Sequence, residues 1–226
     1  MKKSERIDII YEDKDIIVVN KPAGLLTVST DREKEKTLFH KVYMYIKKKN
    51  KNNKIFIVHR LDKDTSGLMV VSKNDKSHVS LSEQISKKEC RRIYWALVDG
   101  IVKEDGEIIT NIGRDPRNRL KMAVVDKDKG KIAHTIYRVL EVFDKYTLVE
   151  FELKTGRTHQ IRVHSTHLHH PIVGDKLYNN NKCKFNLEGQ LLHAKKLILT
   201  HPTTNQEMEF EIELPDYFKK VIETLR

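Results

Sequence analysis

The stretch His59-Arg60-Leu61-Asp62-Lys63-Asp64-Thr65-Ser66-Gly67 decides the reading of this chain. It ends an apolar run that starts at Ile55 and precedes another, Leu68 to Ser72. Both runs read as short buried strands, with turn chemistry between them. A carboxylate held beside cations stays ionised and can act as a nucleophile. If Arg60 and Asp62 are extended, the period of two places them on one face. The same residues also fit a strand end followed by an Asx-type turn, with Asp64 and Thr65 bonding their own backbone. A third reading is a glycosidase couple, because an i, i+2 pair on a strand spans about 6.6 Å, near the spacing of an acid and a nucleophile.

Further along lies Gly156-Arg157-Thr158-His159-Gln160-Ile161-Arg162-Val163-His164. It follows a strand and reads as the start of a helix over Thr158 to Leu168, with Thr158 as cap. A helix start with two arginines suits an anion, and Arg157 could reach a catalytic acid. An ordinary capped helix with a basic face fits equally. His159, His164, His167, His169 and His170 cluster there, but no acidic or thiol companions stand at metal-binding spacing, so a polar helix face or an RNA contact is expected rather than a metal. In Arg91-Arg92-Ile93-Tyr94-Trp95-Ala96 a strand sends Tyr94 and Trp95 to opposite faces; one belongs to the core, and the other either lines a cleft where it could stack on a base or packs against a helix as well.

Around these segments the pattern predicts a hairpin from Ile7–Tyr11 and Ile16–Asn20, broken by Lys21-Pro22-Ala23-Gly24. Leu38, Val42 and Ile46 recur at helical spacing, and a second helix is expected over Lys76–Lys88. Strands are expected at Ile93–Val98, twice within Ala133–Leu153, and at Leu191–Thr200 and Met208–Leu214. Pro215 suits the first residue of a last helix. Strict βαβ alternation is missing, which argues for an α+β fold with a mixed sheet.

The 226 residues carry 43 Lys and Arg against 32 Asp and Glu, a formal charge of +11, which points to a polyanion such as nucleic acid. No run is long enough to cross a membrane, and no apolar stretch after Met1–Arg6 suits a signal peptide. Two cysteines, Cys90 and Cys183, exclude a disulfide framework and suit a reducing cytoplasm. The basic run Lys47 to Lys54 reads as a solvated loop after a helix or as a contact for RNA.

Together these motifs resemble the RluA-type pseudouridine synthases. His59-Arg60-Leu61-Asp62 with Thr65-Ser66-Gly67, Arg92-x-Tyr94-x-Ala96-x-Val98, and Gly156 to Arg162 carry the resemblance, in the family's order. Asn20-Lys21-Pro22-Ala23-Gly24, Pro171 to Asp175 with Tyr178, Leu192-His193-Ala194 and His201-Pro202 extend it over nearly the whole chain. The resemblance implies a mainly antiparallel mixed β-sheet flanked by helices and loops, with a central catalytic cleft. It implies one catalytic domain over residues 1–226 without an S4-type RNA-binding domain. It implies an isomerase that needs no cofactor, converts a uridine of ribosomal or transfer RNA to pseudouridine, and works as a cytoplasmic monomer. By resemblance Asp62 is the nucleophile, Tyr94 helps remove the C5 proton, and Arg157 pairs with the aspartate. Arg60, Ile161, Arg162, Lys21 and Arg92 are expected at the RNA. Arg92 stands where many members have Lys, His169 where many have Gly, and Val28-Ser29 departs from the usual Val-His-Pro. A catalytically idle RNA-binding relative and a glycoside hydrolase are the alternatives.

RNA affinity is expected to fall at least about tenfold between roughly 50 and 200 mM salt. Filter binding to a structured transcript measures this, and a flat response would contradict an RNA partner.

Overall fold

A computed structural model describes residues 7–29, 33, 35–49 and 54–226 of the chain. Its first part runs β1 (Asp8–Glu12), β2 (Ile16–Lys21), α1 (Leu38–Lys49), β3 (Phe56–Ile57), β4 (Ser66–Ser72) and α2 (Asp75–Ser86). Then come β5 (Arg91–Asp99), β6 (Gly106–Arg114), β7 (Met122–Val125), β8 (Lys131–Val142), β9 (Tyr146–Leu153) and α3 (Gln160–His167). The last elements are β10 (Leu192–Thr200), β11 (Glu207–Glu211) and α4 (Asp216–Glu223). Strand pairing is mainly antiparallel, and the class is α+β, as the sequence indicates. No helix among the described residues is long and apolar enough to cross a membrane. Asn50–Asn53 of the basic run and Met1–Arg6 lie outside the described residues.

Contacts divide the chain into two compact units, each discontinuous in sequence. One holds residues through Arg91 plus Ala194–Ile212; the other holds Arg92–His193 plus Glu213–Arg226.

In the first unit the strands lie in the order β1-β2-β4-β10, with β3 against β4 and β11 against β10. The hairpin of β1 and β2 forms as expected, and β2 pairs β4 from Ile16↔Ser72 to Lys21↔Gly67. Ile16–Val19 and Leu68–Val71 are buried without alternation, as central strands covered on both faces must be. Leu38, Val42 and Ile46 form the buried stripe of α1, whose last turn carries Lys47, Lys48 and Lys49, where cations suit the helix dipole. Helix α2 starts at Asn74, whose side chain accepts the Ser77 N–H. Two departures from the sequence reading fall beside the Asp62 loop. The run from Ile55 yields only the two residues of β3, and Ser66-Gly67, expected in the loop, belong to β4. Pairing with β2 extends that strand down to the residue facing Lys21.

His201 ties the ends of this unit together. Its Nδ1 accepts the N–H groups of Thr203 and Thr204, which leaves Nε2 to donate to Asp13 at 2.8 Å. The other Asp13 oxygen accepts the N–H groups of Asp15 and Ile16. One imidazole thus closes two hairpin turns. Asp13, Asp15 and His201 are the one group of potential metal ligands among the described residues. The ring's hydrogen bonds satisfy both nitrogens with protein partners alone.

The second unit is an antiparallel run, β5-β9-β8-β6-β7. Its core gathers Leu97, Phe143, Leu148 and Val173 with Phe218, Val221 and Ile222 of α4. Pro215 is the residue just before α4 rather than its first, with φ −66° and an extended ψ. Strands β6 and β7 have no counterpart in the sequence reading. Ile108 and Ile112 of β6 are buried while Ile109 is 55% exposed, so apolar residues do not alternate cleanly with polar ones.

Gly67 sits at φ 116°, and a Cβ there would run into the Ala194 backbone of β10. Only a bare Cα allows both the left-handed backbone and the close approach. Gly67→Ala is expected to destabilise the protein by about 2 kcal/mol or more. A denaturant titration measures it, and an unchanged midpoint would contradict this packing.

Candidate active site

Leaving β3, the chain reaches Leu61, whose backbone is held at both ends by one hydroxyl. Thr27 Oγ1 donates to the Leu61 carbonyl at 2.7 Å and accepts the Leu61 N–H at 3.3 Å. Upstream, His59 is buried, and its Nε2 accepts the Val70 N–H of β4 at 3.1 Å. That bond assigns the ring proton to Nδ1. Asp62 then opens a turn closed by the Thr65 N–H on the Asp62 carbonyl at 3.2 Å. That bond runs between backbone groups. Arg60 and Asp62 are not in a strand, nor are Asp62 and Asp64. The strand spacing behind a two-carboxylate couple is therefore absent.

Lys21 lies directly behind this turn. Its side chain is fully buried, and Nζ donates to the carbonyls of Pro22 at 3.0 Å, Leu25 at 2.8 Å and Lys63 at 2.9 Å. Burial pushes its ammonium down to about 7, against the opposing pull of the Asp64 and Asp62 carboxylates. Asp62 itself is half-buried, at the mouth of a loop fixed by Thr27 and Lys21. Arg60 is exposed.

In the second unit Tyr94 sits on β5 opposite Phe151 of β9 and is 5% exposed. Trp95, on the other face, is half-buried and donates from Nε1 to Glu150 at 3.2 Å. Arg157 follows the turn after β9. Its Nε donates to the Ile132 carbonyl at 2.8 Å and its backbone N–H to Gln160 Oε1 at 2.9 Å.

Gln160 organises that turn. Its Oε1 also accepts the Thr155 hydroxyl at 2.7 Å, and its Nε2 donates to the His134 carbonyl and to Thr135 Oγ1. Thr135 Oγ1 in turn bonds His164 Nδ1 at 2.8 Å, and His164 Nε2 bonds Thr110 Oγ1 at 2.9 Å. Burial, with His167 and His134 adding to it, pushes His164 down to about 4, so the ring is neutral near pH 7. Gln160 and His164 stand four residues apart on one helix face, a spacing visible in the sequence, and for His164 the polar helix face that the sequence suggests is turned inward onto two threonine hydroxyls. Helix α3 starts at Gln160 after His159 at φ 57°, with no side-chain cap, so Thr158 is not its cap. The Gln160 amide instead holds the turn before the helix, accepting the Arg157 N–H and the Thr155 hydroxyl.

Several residues expected at an RNA partner are instead enclosed. Arg162 makes a bidentate pair with Asp175, at 2.7 and 2.9 Å, and lies over the Tyr178 ring. Asp175 is buried too, and breaking such a pair costs about 3–5 kcal/mol, so Arg162 is a structural cation. Lys21 is equally committed to its three carbonyls, and Ile161 is 4% exposed. Two further histidines of the cluster also have protein partners, His159 with Tyr178 and His170 with the Asp99 carbonyl. His169 stands at φ 63°, a left-handed backbone that glycine adopts without strain.

The model of a family described as RNA pseudouridylate synthase matches residues 15–167. A ribosomal large subunit pseudouridine synthase D from Neisseria meningitidis is 43% identical over 97% of this chain and 61% of that protein. An uncharacterised RNA pseudouridine synthase from Bacillus subtilis is 42% identical over 97% of this chain and 73% of its own length. The chain thus spans between three fifths and three quarters of these relatives. Among solved structures, human RNA pseudouridylate synthase domain containing 4 superposes with a TM-score of 0.79 at 26% identity, covering 96% of this chain and 92% of that one.

The His164 assignment has a pH consequence. Its folded value lies below that of an unfolded histidine, so the unfolded chain takes up a proton first as pH falls. Stability from this site is complete above about pH 6.5 and is lost progressively toward about pH 4. Melting curves over that range are expected to slope less in His164→Gln than in the parent. Equal slopes would contradict a neutral buried ring.

Proposed function

The chain belongs to the RNA pseudouridylate synthase family, and on that premise we propose that it isomerises particular uridines of structured RNA to pseudouridine. Ribosomal RNA is the preferred substrate class, because the Neisseria meningitidis relative is named for the large ribosomal subunit. Asp62 is the nucleophile, attacking C1′ of the sugar or C6 of the base. The N1–C1′ bond breaks, the freed base turns, and a C5–C1′ bond forms. The C5 proton leaves with help from Tyr94, N1 gains a proton, and Asp62 departs unchanged, so atoms balance without a co-reactant. Arg157 pairs with the carboxylate, and exposed Arg60 meets the RNA. Because the target base must leave its stack at a cost of a few kcal/mol, the carboxylate has to be held in place beforehand.

The observation that carries this reading is the hold on Asp62. A half-buried carboxylate stands at the head of a turn whose backbone is pinned by Thr27 and, through Lys63, by Lys21. The second reading, an idle RNA binder, draws no support from a carboxylate on a backbone so firmly pinned. We place the reaction in the cytoplasm and on a monomer, the simplest assembly in which every assigned residue comes from one chain.

Asp62→Ala and Asp62→Asn are expected to lower pseudouridine formation more than about a thousandfold while RNA affinity changes less than about threefold. Tritium release from 5-tritiated uridine in a ribosomal transcript measures the first, and filter binding the second. Retained turnover in either variant would overturn the mechanism.

A further inference from the structure

Two arginines of the second unit are almost equally buried, and only one has a carboxylate. Arg162 is 8% exposed and is answered by Asp175. Arg92 is 6% exposed, and its enclosed Nε has no hydrogen-bond partner. A guanidinium is a permanent cation, and leaving one buried and unanswered is costly. The acidic residue one pair along on β9, Glu152 opposite Ile93, is already held by Lys154 at 2.6 Å. The guanidinium lies against the bare Cα of Gly156, where a Cβ would come within 2.9 Å of Nη1. Gly156 therefore keeps room for the fork beside the Arg157 turn. Along β5, Arg92 stands two residues before Tyr94 and so shares its face.

We propose that Arg92 is an anion site that takes a phosphodiester of the substrate RNA beside the target nucleotide. The assignment rests on the reading of this chain as an RNA uridine isomerase. A planar fork of N–H donors matches phosphate oxygens in pairs, and RNA is the anion that this reading brings to the Tyr94 face. The unanswered cation of the free protein is then the binding group of the complex.

The test compares Arg92→Gln and Arg92→Lys with the parent chain. Dissociation constants for a structured ribosomal transcript are measured from low to moderate salt. Arg92→Gln is expected to weaken binding about ten- to a hundredfold at low salt and to flatten the plot of log Kd against log salt by roughly 0.7–0.9, one phosphate's share. Arg92→Lys is expected to keep the slope, because it keeps the charge. Inorganic phosphate, at equal ionic strength, is expected to compete no better than chloride if the site takes a phosphodiester of RNA; strong competition would assign it to the free ion and overturn the proposal. Without RNA, Arg92→Gln is expected to melt at or above the parent's temperature, since it removes an unpaired buried charge. An unchanged slope, or a melting temperature that falls with slope intact, would overturn the site. The slope is read from binding alone, so it decides the proposal whether or not the transcript is isomerised. Absence of pseudouridine with the parent chain would count against the isomerase reading instead.

Discussion

The Lys21 ammonium, enclosed at the end of β2, joins the carbonyls of Pro22, Leu25 and Lys63. An unpaired cation in such a place costs several kcal/mol, and three acceptors with two nearby carboxylates offset that cost. The Asp62 turn cannot lift from β2 without stranding the charge. Opposite Lys21 on β4 is Gly67, which lets the Ala194 backbone approach. Two paired strands and the approaching β10 backbone thus fix the point from which the Asp62 loop departs. The turn that opens at Asp62, the residue we propose as nucleophile, is thus anchored through Leu61 before it and Lys63 within it.

The second unit solves the same problem with neutral groups. Arg157 is placed by a chain of hydrogen bonds from Thr110 through His164, Thr135 and Gln160. Each member is a donor or acceptor with a protein partner, and the neutral His164 ring lets it bond two hydroxyls. Around this network stand three arginines in different settings. Arg162 is neutralised by Asp175, Arg157 is half-buried, and Arg92 is enclosed without an answering group at Nε.

Where local chemistry determined structure, the sequence was enough. The β-branched runs of β2 and β4, the helical stripe of α1 and the turn after β9 all read correctly. The motif Arg92-x-Tyr94 and the residues around Asp62 pointed to the family before any fold was known. What did not read was burial imposed from a distance. Lys21, Arg162 and Ile161 look like surface for a polyanion, yet each is buried, Lys21 partly by the Lys63 carbonyl 42 residues on and Arg162 by Asp175. Strands β6 and β7 escaped because their apolar residues face both ways, and Ile109 stays exposed. Thr158 looked like a cap because Thr often is one; the helix instead starts after His159 in a left-handed backbone, with no side-chain cap.

The net charge of +11 takes its meaning from this arrangement. Cations that look alike in composition divide into structural ones, locked to carbonyls or carboxylates, and those left for a partner. The account stands or falls on whether the chain makes pseudouridine. Chemical mapping of pseudouridine in total RNA, from cells with the gene and from cells without it, measures that directly. The account predicts at least one uridine, in ribosomal RNA, whose modification vanishes without the gene and returns when it is restored. Identical maps from the two strains would contradict it.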